Sequence, residues 1–325
     1  MTAKKKTKIN SDFSRMLIIL VVLLVFAGVT RGSAFMSVLN FQTIGKQLTE
    51  YGLMAIGLAL AMITGGIDLS TVYIANLSGA VAALVMASIA PEGQIGGILI
   101  ACVIAILIGL LCGALNGFLI SVIGVPPMLA TLGSYQLFYG ITVVLAQGKS
   151  ITVIAPFKAF ASAMVFGVIP LPFVIFILMA VIFSVVVGKT SFGRRIHLVG
   201  VNEKASTFAG INNVKVLTLT YMCSGLLSAI AGLISLSRVA SVKADFGSSY
   251  VMMTILIAVL GGCDPDGGWG EIPGVAVAVI VLQIISAYLN TISWINNYYR
   301  QALYGILLLG FMTYKVLRAR SKNRR

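Results

Sequence analysis

The sequence predicts an all-α polytopic membrane protein of about ten transmembrane helices with both termini cytoplasmic. Three observations carry that expectation. Hydrophobic residues are 59% of the 325 and charged residues only 10%, which leaves too little polar surface to cover a soluble globule. Apolar runs of membrane-spanning length recur from one end of the chain to the other. The cations are also unevenly placed. Lys4, Lys5, Lys6, Lys8 and Arg15 precede the first run, Lys189, Arg194, Arg195, Lys204 and Lys215 share one central interruption, and Lys315, Arg318, Arg320, Lys322, Arg324 and Arg325 close the chain. The opposite side receives Arg31, Lys149, Lys158, Arg238, Lys243 and Arg300, with Lys46 on neither. An excess of Lys and Arg marks cytoplasmic segments, so the net charge of +14 reports topology. It forms no stripe interleaved with aromatics, and nucleic acid is not an expected partner.

The whole chain, 1–325, reads as one transmembrane domain with a cytoplasmic tail 1–15, a cytoplasmic loop 188–215 and a basic cytoplasmic tail 315–325. The first apolar run, Met16 to Thr30, follows a basic segment, but no small-residue cleavage site precedes Arg31; it reads as an uncleaved helix. The second, Leu48 to Gly65, has Lys46 and Glu50 at its entrance and ends in Gly65-Gly66-Ile67-Asp68-Leu69-Ser70. Paired glycines beside Asp68 and Ser70 predict a broken or tightly turned helix end. Val72 to Ala90 and Ile95 to Ile123 follow, the latter stopped by Val125-Pro126-Pro127, since proline removes a donor and restricts its predecessor. The fifth run, Met128 to Ala146, carries Tyr135, Gln136 and Tyr139. Gln147 to Pro170 is an external segment, and Leu171 to Val187 is the sixth span. Beyond the central loop lie Val216 to Leu236, an external stretch with Arg238, Lys243 and Asp245, then Tyr250 to Leu260. Gly261 to Gly270 is an acidic glycine-rich turn that the ten-span topology places in the cytoplasm, a local conflict that stands because acids count little in the charge rule. Pro273 to Leu289 and Tyr298 to Tyr314 complete the set.

The central interruption, Gly188 to Lys215, also holds the only histidine, His197. Within it Asn202 precedes Glu203-Lys204-Ala205-Ser206-Thr207-Phe208, and Gly210 follows: an N-cap, a short helix and a glycine stop. A capped helix flanked by cations is a docking surface for a soluble partner or, more plainly, a connector carrying topogenic charge. Chemistry within the chain finds little support. Gly188-Lys189-Thr190 and Gly148-Lys149-Ser150 resemble the end of a phosphate loop, but Phe183 and Val143 stand where its first glycine belongs. The four cysteines form no CxxC pair, His197 has no ligand partner, and no nucleophile stands with a base. A weak echo is the Gly-Gly-x-Asp ending shared by Ala61 to Asp68 and Ala258 to Asp264.

Taken together, these segments resemble the permease subunits of bacterial carbohydrate ABC importers of the ribose/xylose/galactose type. The resemblance runs through Gly65-Gly66-Ile67-Asp68-Leu69-Ser70, then Leu115-Asn116-Gly117-Phe118-Leu119-Ile120, Pro126-Pro127 with Thr131-Leu132-Gly133, and Gly193-Arg194 with Gly200, Asn202, Glu203, Ala205 and Gly210-Ile211. Val259-Leu260-Gly261-Gly262 with Gly267-Gly268, Gly270 and Pro273-Gly274 completes it. Two departures stand out: Thr71-Val72-Tyr73 where the family continues Val-Gly-Ser, and Cys263-Asp264-Pro265-Asp266 where small uncharged residues are usual. The resemblance implies a multi-pass protein of the bacterial inner membrane, paired with a second permease copy or a paralogue. It implies two ABC ATPase subunits, a periplasmic or lipid-anchored sugar-binding protein, and no cofactor in this chain, ATP and Mg being bound by the ATPase. Residues coupling to the ATPase would be Arg194, Arg195, Asn202, Glu203, Lys204, Ala205 and Gly210.

A sugar pathway needs neutral hydrogen-bonding groups and aromatic surface without strong charge. Candidates are Gly65, Gly66, Asp68, Asn116, Tyr135, Gln136 and Tyr139, with Tyr135 and Tyr139 on one helical face and Gln136 at its edge; plain packing and helix-to-helix bonding is the competing role. A branched-chain amino-acid-type ABC permease is an alternative. An ion-coupled secondary transporter is another, disfavoured because Glu50, Asp68, Asp245 and Asp264 read as helix-end or loop residues and not mid-span ones.

Overall fold

The computed structural model describes residues 3–292, 302–310, 313 and 317. The basic tail 315–325, Leu317 apart, and residues 298–301, 311, 312 and 314 of the last expected span lie outside them. The chain is mostly helical: α1 (Ala3–Phe35), α2 (Val38–Ile63), α3 (Thr71–Ile89), α4 (Ile95–Ser121), α5 (Pro127–Ala146), α6 (Ala155–Ser162), α7 (Leu171–Lys189), α8 (Ser191–Val201), α9 (Glu203–Phe208), α10 (Asn213–Val239), α11 (Tyr250–Leu260) and α12 (Ile272–Asn290). Residues 302–310 are helical as well. Among the described residues seven helices are long and apolar enough to cross a membrane, namely α3, α4, α5, α7, α10, α12 and the Met16–Ser33 part of α1.

Segment 147–170 is small-scale structure. β1 (Ile151–Thr152) pairs antiparallel with β4 (Ser241–Val242), Ile151 opposite Val242. After α6, β2 (Met164–Val165) and β3 (Ile169–Pro170) form a tight hairpin. Because α7 leads from this hairpin directly to α8, the molecule has a hairpin end and an opposite, loop end.

Helix α10 is the axis of the bundle, and its closest partner is α4. Gly109, Gly113 and Gly117 form a stripe at helical spacing on α4. A Cβ at Gly113 would stand 2.2 Å from the Tyr221 carbonyl oxygen and one at Gly117 2.5 Å from the Thr218 Cα. The two backbones therefore touch, which is how helices associate where lipid offers no hydrophobic drive between them.

Two sequence-based boundaries are corrected. Helix α2 starts ten residues before Leu48, at Val38, because Ser37 caps it and its Oγ accepts from the Asn40 N–H at 3.3 Å. Helix α10 continues to Val239. Glu50 is thus not at a span entrance but midway along α2 and fully buried, and Arg238 is on the last turn of α10 instead of an external stretch. Arg238 donates from Nε and Nη2 to the two Glu50 carboxylate oxygens, the second at 3.0 Å. Paired in this bidentate way, neither charge has to end its helix. Glu50 is therefore a mid-helix acid paired with Arg238, and not the helix-end residue expected from the sequence.

Candidate functional site

The loop end is built by short-range hydrogen bonds. Thr190 turns α7 into α8: its Oγ1 donates to the Val186 carbonyl at 2.6 Å and accepts from the Gly193 N–H at 3.2 Å. Asn202 caps α9, its Oδ1 accepting from the Ala205 N–H at 2.9 Å. Gly210, at φ 77°, closes it in a Schellman arrangement, with Ile211 N–H to Ser206 C=O at 3.1 Å and Gly210 N–H to Thr207 C=O at 3.0 Å. Cap, helix and stop fall on the residues the sequence suggested. Asn213, which the sequence reading passed over, fastens the piece: its Nδ2 donates to the Glu203 carbonyl at 2.8 Å and to Thr207 Oγ1 at 2.9 Å. Six residues are too few for a stable isolated helix, and here the chain itself supplies the support. Arg194, Arg195, Asn202, Glu203, Lys204, Ala205 and Gly210 are all exposed. So are two apolar side chains, Phe208 at 92% and Val201 at 71%.

The acidic glycine-rich turn meets this loop. Gly268 donates its N–H to the Ile63 carbonyl at the end of α2, at 2.8 Å, and its own carbonyl lies 3.3 Å from His197 Nδ1 on α8. A Cβ at Gly200 would stand 1.9 Å from the Ile63 oxygen and 2.5 Å from the Gly268 nitrogen. Turn, α8 and α2 therefore close on a point that tolerates no side chain, and the turn shares the loop end, as the ten-span topology required. His197 is half-buried against this turn and is not a free surface histidine.

Both glycine pairs end their helices in Schellman motifs. Gly66 N–H reaches Ala61 C=O at 3.1 Å and Gly65 N–H reaches Met62 C=O; Cys263 N–H reaches Ala258 C=O and Gly262 N–H reaches Val259 C=O. The left-handed residues are Gly65 (φ 85°) and Gly262 (φ 97°). The structural equivalence is therefore one residue out of step with the Gly-Gly-x-Asp echo, and Asp68 and Asp264 are not counterparts.

The expected pathway residues separate into two groups. Asp68 is wholly buried: Oδ1 accepts from Ser70 N–H at 3.0 Å and Ser70 Oγ at 2.6 Å, and Oδ2 accepts from Ser224 Oγ at 2.7 Å. Asn116, also wholly buried, donates from Nδ2 to Ser70 Oγ at 2.8 Å. This relay ties α4, the α2–α3 turn and α10 together and faces no open space. Gly66 packs beside the Tyr221 hydroxyl, which a Cβ there would approach to 2.3 Å. On α5 the outcome differs. Tyr135 and Tyr139 bracket Tyr73 of α3, with ring centroids 4.3 and 6.0 Å apart, and all three are half-buried. Gln136 is exposed on the outer side with Gly133.

Seven of the described helices are long and apolar enough to cross a membrane, and a capped helix is displayed at one end of the bundle. The chain belongs to the family described as the branched-chain amino acid transport system / permease component, whose model matches residues 40–312. It is 34% identical over 284 residues to the ribose import permease protein RbsC of Bacillus subtilis (strain 168), covering 85% of this chain and 84% of that one. To the autoinducer 2 import system permease protein LsrD of Yersinia pseudotuberculosis serotype O:1b (strain IP 31758) it is 32% identical, covering 79% of this chain and 77% of that one. Among solved structures it resembles a metal-chelate-type ABC transporter in an inward-facing conformation, with a TM-score of 0.53, 17% identity, and coverage of 94% of this chain and 99% of the other. That likeness is one of fold. The protein is a multi-pass inner-membrane transport component rather than an enzyme.

Proposed function

We propose that this chain is the permease subunit of an ATP-binding cassette importer that moves a monosaccharide or related small polar carbohydrate across the bacterial inner membrane. In this reading it has ten spans and cytoplasmic termini, and the loop end is the cytoplasmic end. The observation that carries it is α9: a helix held rigid by Asn202, Gly210 and Asn213 that turns Phe208 outward, uncovered by any described residue. An apolar side chain held out in water one helical turn from Lys204, on a loop that also exposes Arg194 and Arg195, fits a cleft in a soluble ATPase subunit, which would bind the ATP and Mg. Nucleotide-driven movement of that cleft would reach α2 through Gly200 and Gly268. The relatives named for ribose and autoinducer 2 support a small polar substrate over a branched-chain amino acid.

The exposed side of α5, with Gln136 and Gly133, is the proposed contact with a second permease copy or paralogue. Tyr73, Tyr135 and Tyr139 would then supply aromatic surface to a shared pathway, and a periplasmic or lipid-anchored sugar-binding protein would dock at the hairpin end. Reconstituting the chain in vesicles with its ATPase and binding-protein partners, and following ATP-dependent uptake of labelled monosaccharides, tests the reading. Uptake of leucine or valine and of no sugar would replace it with the amino-acid alternative, and uptake driven by an ion gradient without ATP would remove it.

A further inference from the structure

At the hairpin end the bundle contains a crevice of about 310 Å³ between α1, α2, β3, α7 and α12. Leu20, Leu24, Phe41, Leu48, Phe173 and Ile284 form its walls. The polar side chain among its lining residues is Gln42, and its Nε2 is already donated to the Val168 carbonyl at 3.1 Å. A site with so few polar partners does not hold water, and left empty it forfeits the dispersion contacts of every wall atom. Its depth identifies what surrounds it. Leu20 and Leu24 lie within the Met16–Ser33 span, Phe173 within α7 and Ile284 within α12, all of membrane-crossing length and hydropathy.

Helix α1 rests mainly on α12, and its other faces, through Val21, Val25 and Val29, are open. Of the crevice's own lining, Val38, Phe41, Val168 and Ile169 are exposed, so it opens onto the same apolar outer surface, and hydrocarbon is what meets it. The β3 wall belongs to the hairpin whose tip carries Phe166, 94% exposed, beside exposed Val168; an aromatic side chain at a span's end suits the membrane interface.

We propose that this crevice is a binding site for one acyl chain of a phospholipid from the leaflet at the hairpin end. A foreign helix about 10 Å across would have to part the elements that line the crevice, whereas an acyl chain is one methylene wide. Recognition is by chain and not by headgroup, because no charged side chain stands among the described residues that line the crevice.

The full-length chain is delipidated, returned to nanodiscs of phosphatidylglycerol or phosphatidylethanolamine with matched acyl chains, re-extracted and weighed by native mass spectrometry. The wild type is expected to retain one phospholipid with either headgroup. Gly45→Leu, whose new Cβ would meet Phe173 and Pro170 at 3.4 and 3.5 Å, and Val168→Trp fill the space and should lose that lipid, while Val29→Trp on the open face of α1 keeps it. A second measurement needs no filler: a Phe173→Trp reporter should be quenched by acyl-brominated lipid as fully as a Val29→Trp reporter. No retained lipid in the wild type, unchanged retention in the inserted fillers, retention that follows headgroup charge, or an unquenched Phe173→Trp reporter each overturns the proposal.

Discussion

The Gly268 N–H lies 2.8 Å from the carbonyl oxygen of Ile63. That bond joins the glycine-rich turn to the last residue of α2, and the His197 ring lies against the other side of the same Gly268 residue. Gly200 occupies the remaining space. Movement of α8 relative to the bundle must therefore displace α2 or break this junction. Gly200→Ala places a methyl 1.9 Å from the Ile63 oxygen, closer than any contact can persist. The expected outcome is a loss of substrate-stimulated ATP hydrolysis of about tenfold, the size of a typical coupling energy, with membrane insertion retained. Unimpaired stimulation in the reconstituted complex would show that the junction carries no signal.

The display of α9 gives a second expectation. Phe208→Asp leaves every cap and fastening bond of α9 in place but sets a charge where the partner would bury an aromatic ring. Affinity for the ATPase subunit should fall by about 2 kcal/mol or more, as for a buried aromatic anchor, measured by titrating detergent-solubilised permease with ATPase. Asn213→Ala should weaken the same association by loosening the helix, as should Asn202→Ala, which removes the cap. Binding unchanged in all three would make α9 a plain connector.

How far the sequence could be read depended on the range of the interactions. Asn202, Glu203 and Gly210 lie within one short stretch, and capping chemistry acts within a turn, so the loop helix was legible to the residue. The end of α2 was legible for the same reason. Glu50 and Arg238 are far apart in the chain, and each alone looks like a polar residue that must end a span; only their pairing allows both helices to continue. Tyr73 joins Tyr135 and Tyr139 only because α3 packs on α5. The Gly-Gly-x-Asp echo misled because the left-handed position is the first glycine in one turn and the second in the other, which letters alone do not distinguish.

The Glu50–Arg238 pair gives a third expectation. Removing one partner leaves a charge uncompensated inside the bundle, whereas removing both leaves none. Glu50→Leu or Arg238→Leu alone should each destabilise the fold by about 3 kcal/mol, and the double variant should recover most of that loss. Thermal unfolding of the purified chain followed by circular dichroism reads the difference. Equal losses in the single and double variants would mean that packing, and not charge, holds this contact.

The last expectation separates two residues that the sequence grouped together. Asn116 is wholly buried, and its Nδ2 donates to Ser70 Oγ, which donates in turn to Asp68. Asn116→Leu removes that donor and forces a bulkier apolar side chain against the relay, so unpaired polar groups remain in a dry interior at a cost of about 1–3 kcal/mol. The expected result is a lower yield of folded protein and a lower melting temperature, with transport falling in proportion to the protein lost. Gln136 is exposed on α5. Gln136→Leu should therefore leave the melting temperature of the isolated chain unchanged while reducing transport per assembled complex, because the face it occupies is the one proposed to meet the second copy and the substrate. Uptake normalised to complex, measured beside the melting temperature for both variants, distinguishes the roles. Loss of stability in Gln136→Leu, or full stability with lost transport in Asn116→Leu, would reverse the assignment.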